Sequence, residues 1–252
     1  MTRGARGAPD WLSEQSKETL VIRGFRLSAA VAVAAAAIAV VGCGSTDPEK
    51  ARVEALRRDR NVEALAKETV SEKPATSREA VRALGTLGAE AIPRLQEVLK
   101  DERPEIRVEA ALAYGNAVAV AEAAPARAAP GQEAPGQAAR MEDQIRPLAE
   151  AVRSDASPDV RAAAVTGLGH ARAMSEMQTI FRALEDPDPM VRARATAAVT
   201  RITGRRYETY VNGTPQQRHE AAANIRRQWA ADEKSTREYY AGKQKTKGTP
   251  QK

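Results

Sequence analysis

The chain has 252 residues, of which 42% are hydrophobic and only 4% aromatic, and its formal net charge is +6. An interior with so few aromatic rings must be built from Ala, Leu, Val and Ile, which favours closely packed helices over a β-sandwich. A single cysteine excludes both an internal disulfide and a thiolate metal site. The composition therefore predicts an all-α protein.

The amino-terminal segment has the pattern of a secretory signal. Residues 27–41 are uncharged and follow the basic residues Arg23 and Arg26. This run is shorter than the roughly twenty apolar residues of a membrane span, but it suits the apolar region of a signal peptide. We therefore expect residues 1–42 to be a signal peptide.

The four residues Val-Val-Gly-Cys at 40–43 resemble the lipobox of bacterial lipoproteins. The resemblance implies cleavage between Gly42 and Cys43, acylation of Cys43, and a short lipidated tether over residues 43–47. Three acyl chains would anchor the protein stably in a membrane. The alternative is that Cys43 is an incidental cysteine at the end of an uncleaved signal anchor.

Two features bear on the location that this resemblance implies. The leader is longer than in typical lipoproteins and contains three acidic residues, so translation from Leu20 or Val21 would match the pattern better. No aspartate follows Cys43 directly. In lipoproteins of diderm bacteria that absence implies transfer to the outer membrane. We expect a lipid-anchored protein of the bacterial cell envelope, on the periplasmic face of the outer membrane in a diderm.

Beyond the tether, one motif recurs with a period of about 30 residues. Residues 101–115 and 155–169 share an Asp, a Pro, an aliphatic-Arg pair and an Ala in register, a third copy begins at 186, and a weaker one begins near 71. The longer gap between 101 and 155 contains the low-complexity segment 117–139, in which Ala-Pro-Gly-Gln occurs twice. This segment predicts a looped-out insertion, because it has little to bury.

Apolar residues within each copy fall at helical spacing, so each copy predicts a first helix with one buried face. Second helices are predicted at 91–99, 144–152 and 177–184, and a degenerate helical pair at 48–57 and 61–70. Four glycines fall where the first helices would end, namely Gly85, Gly88, Gly115 and Gly169.

With three copies in register, residues 48–204 resemble the HEAT-repeat family, in particular the short type that also occurs in phycobilisome lyases. The resemblance implies an all-α, right-handed solenoid of stacked helical pairs. Residues 205–232 break the period and predict a capping helix with Trp229 on its buried face. Residues 233–252 form a polar basic tail, of which 242–252 are expected to be disordered.

The repeated arginines Arg107, Arg161 and Arg192 occupy the position that follows the aliphatic residue in each copy. The resemblance implies that each of them bonds the Asp-bearing turn of a neighbouring repeat, forming a structural ladder with Asp155 and Asp186. The alternative interpretation is an anion-binding site.

The sequence predicts no catalytic residues, no metal site and no cofactor. His170 and His219 have no partner at metal-ligand spacing. We find no glycine-rich phosphate loop, no Ser-centred elbow and no Cys-His pair. No Asp or Glu lies in an apolar sequence context that would raise its pKa. These observations predict a protein that is not an enzyme.

The charge gives little support for a nucleic-acid partner. Residues 43–252 keep 34 basic and 30 acidic side chains, which we interpret as a mild excess spread over the repeats and the tail. The repeats also lack the aromatic residues that a base-flipping enzyme needs. Anionic lipid or cell-wall polymer is the more natural partner for the tail residues Lys243, Lys245 and Lys247.

The leading hypothesis is an envelope-anchored, non-catalytic scaffold that binds an unidentified protein. The surface of the second helices is the predicted interface, with weak candidates at Arg94, Gln96, Glu97, Arg146, Glu150 and Arg182. Two alternatives stay open: a structural spacer between membrane and cell wall, and an enzyme resembling the bilin lyases.

Overall fold

The computed structural model describes residues 47–123 and 137–247. The predicted signal peptide, the Gly42–Cys43 cleavage site and most of the tether lie outside these residues. The described part contains ten α-helices and no strand. The helices are α1 Pro48–Arg58, α2 Val62–Glu68, α3 Pro74–Gly85, α4 Ile92–Val98, α5 Pro104–Ala123, α6 Gln137–Ser154, α7 Pro158–His170, α8 Met177–Ala183, α9 Pro189–Thr203 and α10 Pro215–Lys247.

The helices pack as successive antiparallel pairs. The first helices α3, α5, α7 and α9 each contact the next along the stack, and α1 extends the row on the other side of α3. The second helices α2, α4, α6 and α8 pack against them. Every helix of the row α1, α3, α5, α7 and α9 begins with a proline, whose fixed φ and missing N–H suit the first helical turn. The fold is the predicted all-α solenoid.

Small residues let the first helices approach one another closely. A Cβ added to Gly115 would lie 2.3 Å from the Cα of Gly167, and one added to Gly85 would lie 2.8 Å from the Cα of Ala113. The prediction that Gly115 ends a first helix is wrong, because α5 continues to Ala123. Its role is therefore close helix packing, whereas Gly88 does adopt a left-handed conformation, with φ of 74°.

The predicted insertion boundaries at 117 and 139 are also wrong. Helix α5 extends through Ala123 and α6 begins at Gln137, so residues on both sides of the low-complexity segment are helical. Ala117 and Val118 are buried, because they continue the face of α5 that contains Tyr114. Residues 124–136 lie outside the described residues.

The carboxyl-terminal cap and most of the tail form one helix, α10. Its first half buries Ala222, Ile225 and Trp229 against the core. The predicted boundary at residue 232 is wrong, and the tail is helical as far as Lys247. Good helix formers and an (i, i+4) ion pair between Glu233 and Arg237 explain the continuation. Within the described residues, no helix combines the length and hydrophobicity required to cross a bilayer.

Candidate functional site

The repeat arginines and aspartates form a ladder along one edge of the row of first helices. Arg107 on α5 donates to both carboxylate oxygens of Asp155, with Nε–Oδ2 and Nη2–Oδ1 distances of 2.9 and 3.0 Å. Arg161 on α7 bonds Asp186 in the same way, at 3.0 Å for both contacts. These ion pairs join each repeat to the next, and all four side chains are at most 16% exposed.

The same guanidinium groups also close the turns of their own repeats. The Nη1 of Arg161 donates to the carbonyls of Asp155 and Ala156, at 3.0 and 3.3 Å. Asp155 in turn accepts a hydrogen bond from the backbone N–H of Ser157 at 2.9 Å. Each rung of the ladder therefore connects a first helix, the turn before it and the turn of the following repeat.

The electrostatics of the ladder favour the charged forms. Burial alone raises the pKa of Asp155, but the hydrogen bonds from Arg107 and from the Ser157 N–H outweigh burial and leave that pKa below its ordinary value. The hydrogen bond to Asp186 raises the pKa of Arg161. The Arg107–Asp155 pair is thus ionised throughout the neutral range.

The last rung has no following aspartate. Arg192, which is 7% exposed, donates from Nε to the carbonyl of Val211 and from Nη1 to the carbonyls of Asp186 and Pro187, each at 2.7 Å. The segment between α9 and α10 therefore provides the acceptor that another repeat would have supplied.

The first rung is completed by a residue that the sequence motif does not identify. The weak copy has Ser77 at the arginine position, and the guanidinium of Arg103 takes that place. It donates to both oxygens of Asp101 at 2.9 Å and reaches back to the carbonyl of Ser71 at 3.2 Å. The sequence offers one signal for this role: the weak copy lacks the motif arginine, and the turn that follows that copy contains Arg103.

The arginines and aspartates of the ladder bind one another, which argues against the anion-site interpretation. Arg107 donates from Nε and Nη2 to the carboxylate of Asp155, and from Nη1 to the backbone carbonyls of Asp101 and Glu102. A bound anion would have to displace a buried carboxylate, at a large electrostatic cost. The arrangement links each repeat to the next through buried ion pairs.

The two histidines have partners within the fold. His170 Nδ1 lies 2.8 Å from Asn116 Oδ1, and burial followed by the charge of Arg201 lowers the pKa of His170. His219 Nδ1 lies 2.8 Å from an oxygen of Glu185, which also binds Arg226. Among the described residues, no group of three or more His, Cys, Asp or Glu side chains could hold a metal ion.

One acidic residue contradicts the expectation that no carboxyl pKa is raised. Burial raises the pKa of Glu122, near the end of α5, to about 7, although the positive charge of Arg172 lowers it. Glu122 is half-buried in the structure, and the sequence does not reveal this environment. Among the described residues, the charged group that acts on this carboxyl is Arg172.

The six residues predicted on the second helices are dispersed. Arg94 is engaged in ion pairs with Glu63 and Glu97 at 2.9 and 3.0 Å, and Arg146 pairs with Asp143. Gln96, Glu150 and Arg182 are exposed on α4, α6 and α8. The structure does not gather these six side chains around either cavity that it describes.

The more continuous candidate surface lies on the first helices instead. An open groove of about 640 Å³ is lined by residues of α3, α5, α7 and α9. We call it the first-helix groove, and its apolar lining consists of Pro104, Val108, Leu112, Ala162, Ala163 and Met190. Met190 is 50% exposed, and Arg78 and Arg194 contribute positive charge from the two outer helices.

Paired helices, an interrepeat ladder and an open groove define an α-solenoid repeat protein. The sequence matches the model of HEAT repeats over residues 60–126 and 145–233, which together make up more than half of the chain. The chain belongs to the HEAT-repeat family. The comparison with curated proteins gave no match.

Two solved structures are similar to this chain. One is an engineered protein, with 17% identity, coverage of 70% of this chain and 85% of that chain, and a TM-score of 0.43. The other is the complex of CpcE and CpcF of phycocyanin lyase from Nostoc sp. PCC7120. It has 21% identity, coverage of 75% of this chain and 70% of that chain, and a TM-score of 0.42.

Proposed function

We propose that this protein is an envelope-anchored lipoprotein whose HEAT-repeat solenoid binds another protein without catalysing a reaction. The observation that carries the proposal is the first-helix groove, in which the exposed Pro104 and Met190 and the half-buried Val108 and Leu112 lie beside charges of both signs. Surfaces of this composition are typical of protein-binding sites. The repeat stack supplies a rigid support, because its arginine ladder fixes each helical pair against the next.

The groove extends over four consecutive first helices, so a partner would contact several repeats together. Val108 and Leu112 on α5 lie one helical turn apart, and Ala162 and Ala163 face them from α7. An extended segment or a helix with apolar anchors could bury this surface, while Glu105 and Arg194 provide polar contacts at its margin. We therefore move the proposed interface from the second helices to the first.

The anchor rests on the sequence, namely the uncharged run at 27–41 followed by Val-Val-Gly-Cys at 40–43. Lipidation of Cys43 would attach the solenoid to a membrane of the bacterial cell envelope. In a diderm this would be the periplasmic face of the outer membrane. Lys243, Lys245 and Lys247 could then contact anionic lipid or cell-wall polymer.

Metabolic labelling tests the anchor. An alkyne fatty acid should label the wild-type chain and should not label Cys43→Ser, because the acyl chains require the thiol and the new amino terminus at residue 43. Persistence of the label in Cys43→Ser would overturn the lipoprotein proposal, whereas the solenoid would be unaffected by that result.

Affinity capture from detergent-solubilised envelopes tests the scaffold. The tagged full chain should retain a stoichiometric protein partner, and Met190→Glu should release it by placing a charge in the groove. Glu150→Arg on α6 is the matched control, because it changes an exposed second-helix residue that does not line the groove.

Three other results would contradict this proposal in different ways. If Glu150→Arg released the partner and Met190→Glu did not, the interface would lie on the second helices. Recovery of cell-wall fragments without protein would favour the spacer. Covalent attachment of a bilin to an acceptor protein by the purified chain would favour the lyase alternative.

A further inference from the structure

A second cavity lies where α9 meets the segment that joins it to α10. It has a volume of about 580 Å³ and is lined by Thr196, Ala197, Thr200, Arg201, Arg206 and Tyr207. We call it the α9 pocket. It shares no lining residue with the first-helix groove, and the function proposed above makes no use of it.

The pocket is lined by two arginines, Arg201 and Arg206. Arg201 and Arg206 are exposed, and neither side chain forms a hydrogen bond or an ion pair within the part of the chain that the structure describes. The ladder arginines, by contrast, are fully engaged with carboxylates and carbonyls. Since the charge of Arg201 also lowers the pKa of His170, after the larger effect of burial, its field reaches neighbouring groups.

The segment that carries Arg206 and Tyr207 is fixed on both sides. Gly204 ends α9 with φ of 73°, and Arg205 forms an ion pair with Asp232 of α10. Further along, the Thr209 hydroxyl lies 2.8 Å from that of Thr196 on α9. The pocket is therefore preorganised, and its two arginines need little rearrangement to bind a ligand.

The positive charge is concentrated in the part of the sequence that contains this pocket. Residues 189–231 carry eight basic and two acidic side chains, whereas residues 48–188 carry 20 basic and 24 acidic ones. The interpretation of a mild excess spread over the repeats and the tail is therefore wrong for most of the repeats, because residues 48–188 carry a net negative charge. A local excess of this size raises the concentration of anions near the surface that bears it.

We propose that the α9 pocket binds a phosphate group. Guanidinium groups form paired hydrogen bonds with phosphate oxygens, and two of them match the double negative charge of a phosphate monoester. The hydroxyl of Thr200 makes no hydrogen bond in the described part of the chain and can supply a further donor. The ring of Tyr207 forms a wall against which the rest of a phosphorylated molecule can pack.

Calorimetric titration of the full chain, in a non-ionic detergent at low ionic strength, tests the proposal with pyrophosphate as the probe. We expect pyrophosphate to bind at one site, and we expect the double variant Arg201→Gln/Arg206→Gln to weaken its affinity at least tenfold. The control is Arg58→Gln with Arg182→Gln, which removes two exposed arginines outside the pocket and should change the affinity less than twofold. Arg206→Gln alone, in the connecting segment, provides a variant with minimal effect on folding.

Sedimentation with phosphatidylglycerol vesicles distinguishes the sources of the phosphate. Binding to vesicles with the same dependence on Arg201 and Arg206 identifies a lipid headgroup, and binding to pyrophosphate alone identifies a soluble phosphate. Equal weakening by the two double variants would overturn the site, because it would show a general effect of charge. The site would also be overturned if the chain bound poly-glutamate but did not bind pyrophosphate.

Discussion

A ladder arginine stabilises the fold through all the groups that it satisfies and not through one ion pair. Arg161 donates to the carboxylate of Asp186 and to the carbonyl of Asp155, which belong to the turns of two successive repeats. Removing the guanidinium leaves a carboxylate that is 11% exposed without its counter-ion. An unpaired buried charge costs more than the intact pair contributes.

We therefore expect Arg161→Ala to lower the free energy of unfolding by about 1 to 3 kcal/mol. Arg182→Ala removes an exposed arginine with no partner in the described chain, and it should change stability by less than about 0.5 kcal/mol. Urea denaturation of both variants measures the difference. An unchanged midpoint for Arg161→Ala would refute the structural role of the ladder.

Tyr114 provides a second test at the residue scale. Its hydroxyl is buried without a hydrogen-bond partner in the described structure, and burial raises the pKa of Tyr114 to about 12. The corresponding positions of two other copies are Leu84 and Leu168. The polar atom therefore lies in an apolar layer.

Tyr114→Phe should increase the free energy of unfolding by about 1 kcal/mol, because it removes the unsatisfied hydroxyl and keeps the ring. Tyr114→Ala should instead destabilise by about 3 to 5 kcal/mol through the cavity that it creates. Thermal denaturation of the two variants separates these effects. Destabilisation by Tyr114→Phe would show that the hydroxyl is satisfied in solution.

At the scale of helices, the stack depends on how closely the first helices approach. The Cβ that alanine would add at Gly115 meets the Cα and carbonyl of Gly167 at 2.3 and 2.5 Å, which is too close for any side-chain adjustment to relieve. At Gly169 the nearest atom is the Cα of Ala198 at 3.0 Å. The interface between α5 and α7 is thus tighter than that between α7 and α9 at these positions.

Gly→Ala within a helix ordinarily stabilises by about 0.5 to 1 kcal/mol through backbone entropy. At Gly115 the steric effect is larger, and we expect Gly115→Ala to destabilise by about 1 to 3 kcal/mol. Gly169→Ala should have a smaller effect, since its nearest contact, at 3.0 Å, requires a shift of only a few tenths of an ångström. Equal melting temperatures for the wild type and Gly115→Ala would contradict the observed helix packing.

The sequence predicted the helical pairs because three copies of one motif repeat the same buried positions in register. It could not predict the roles of Gly115 and Arg103, since each depends on a neighbour from another repeat. A sequence motif assigns a role to a fixed position in each copy. The guanidinium of Arg103 completes the first rung although Arg103 does not occupy the arginine position of the motif. In the tail, polar composition predicts disorder, but Glu, Lys, Arg and Gln are also good helix formers, and the helix continues to Lys247.

At the scale of the whole molecule, a solenoid is stabilised by contacts between successive repeats, and its last repeat must be covered. The amino-terminal half of α10 provides that cover through Ala222, Ile225 and Trp229. Beyond Trp229, none of the α10 side chains that the structure describes is buried. The two halves of α10 therefore contribute differently to stability.

Truncation after Asp232 should leave the free energy of unfolding within about 0.5 kcal/mol, a shift of roughly 1 to 2 °C in melting temperature, because it removes no described core residue and keeps the Arg205–Asp232 ion pair. Trp229→Ala should cost about 3 to 5 kcal/mol by opening the end of the core.

Hydrogen exchange gives the spatial test of the same prediction. Since coupling in a solenoid extends mainly to nearest neighbours, protection in Trp229→Ala should fall in α8 and α9 and stay unchanged in α1 and α3. A uniform loss of protection along the chain would show that the solenoid unfolds as one unit. If the truncation destabilised the protein as much as Trp229→Ala does, the second half of α10 would have to pack against the repeats. The cap would then not end at Trp229.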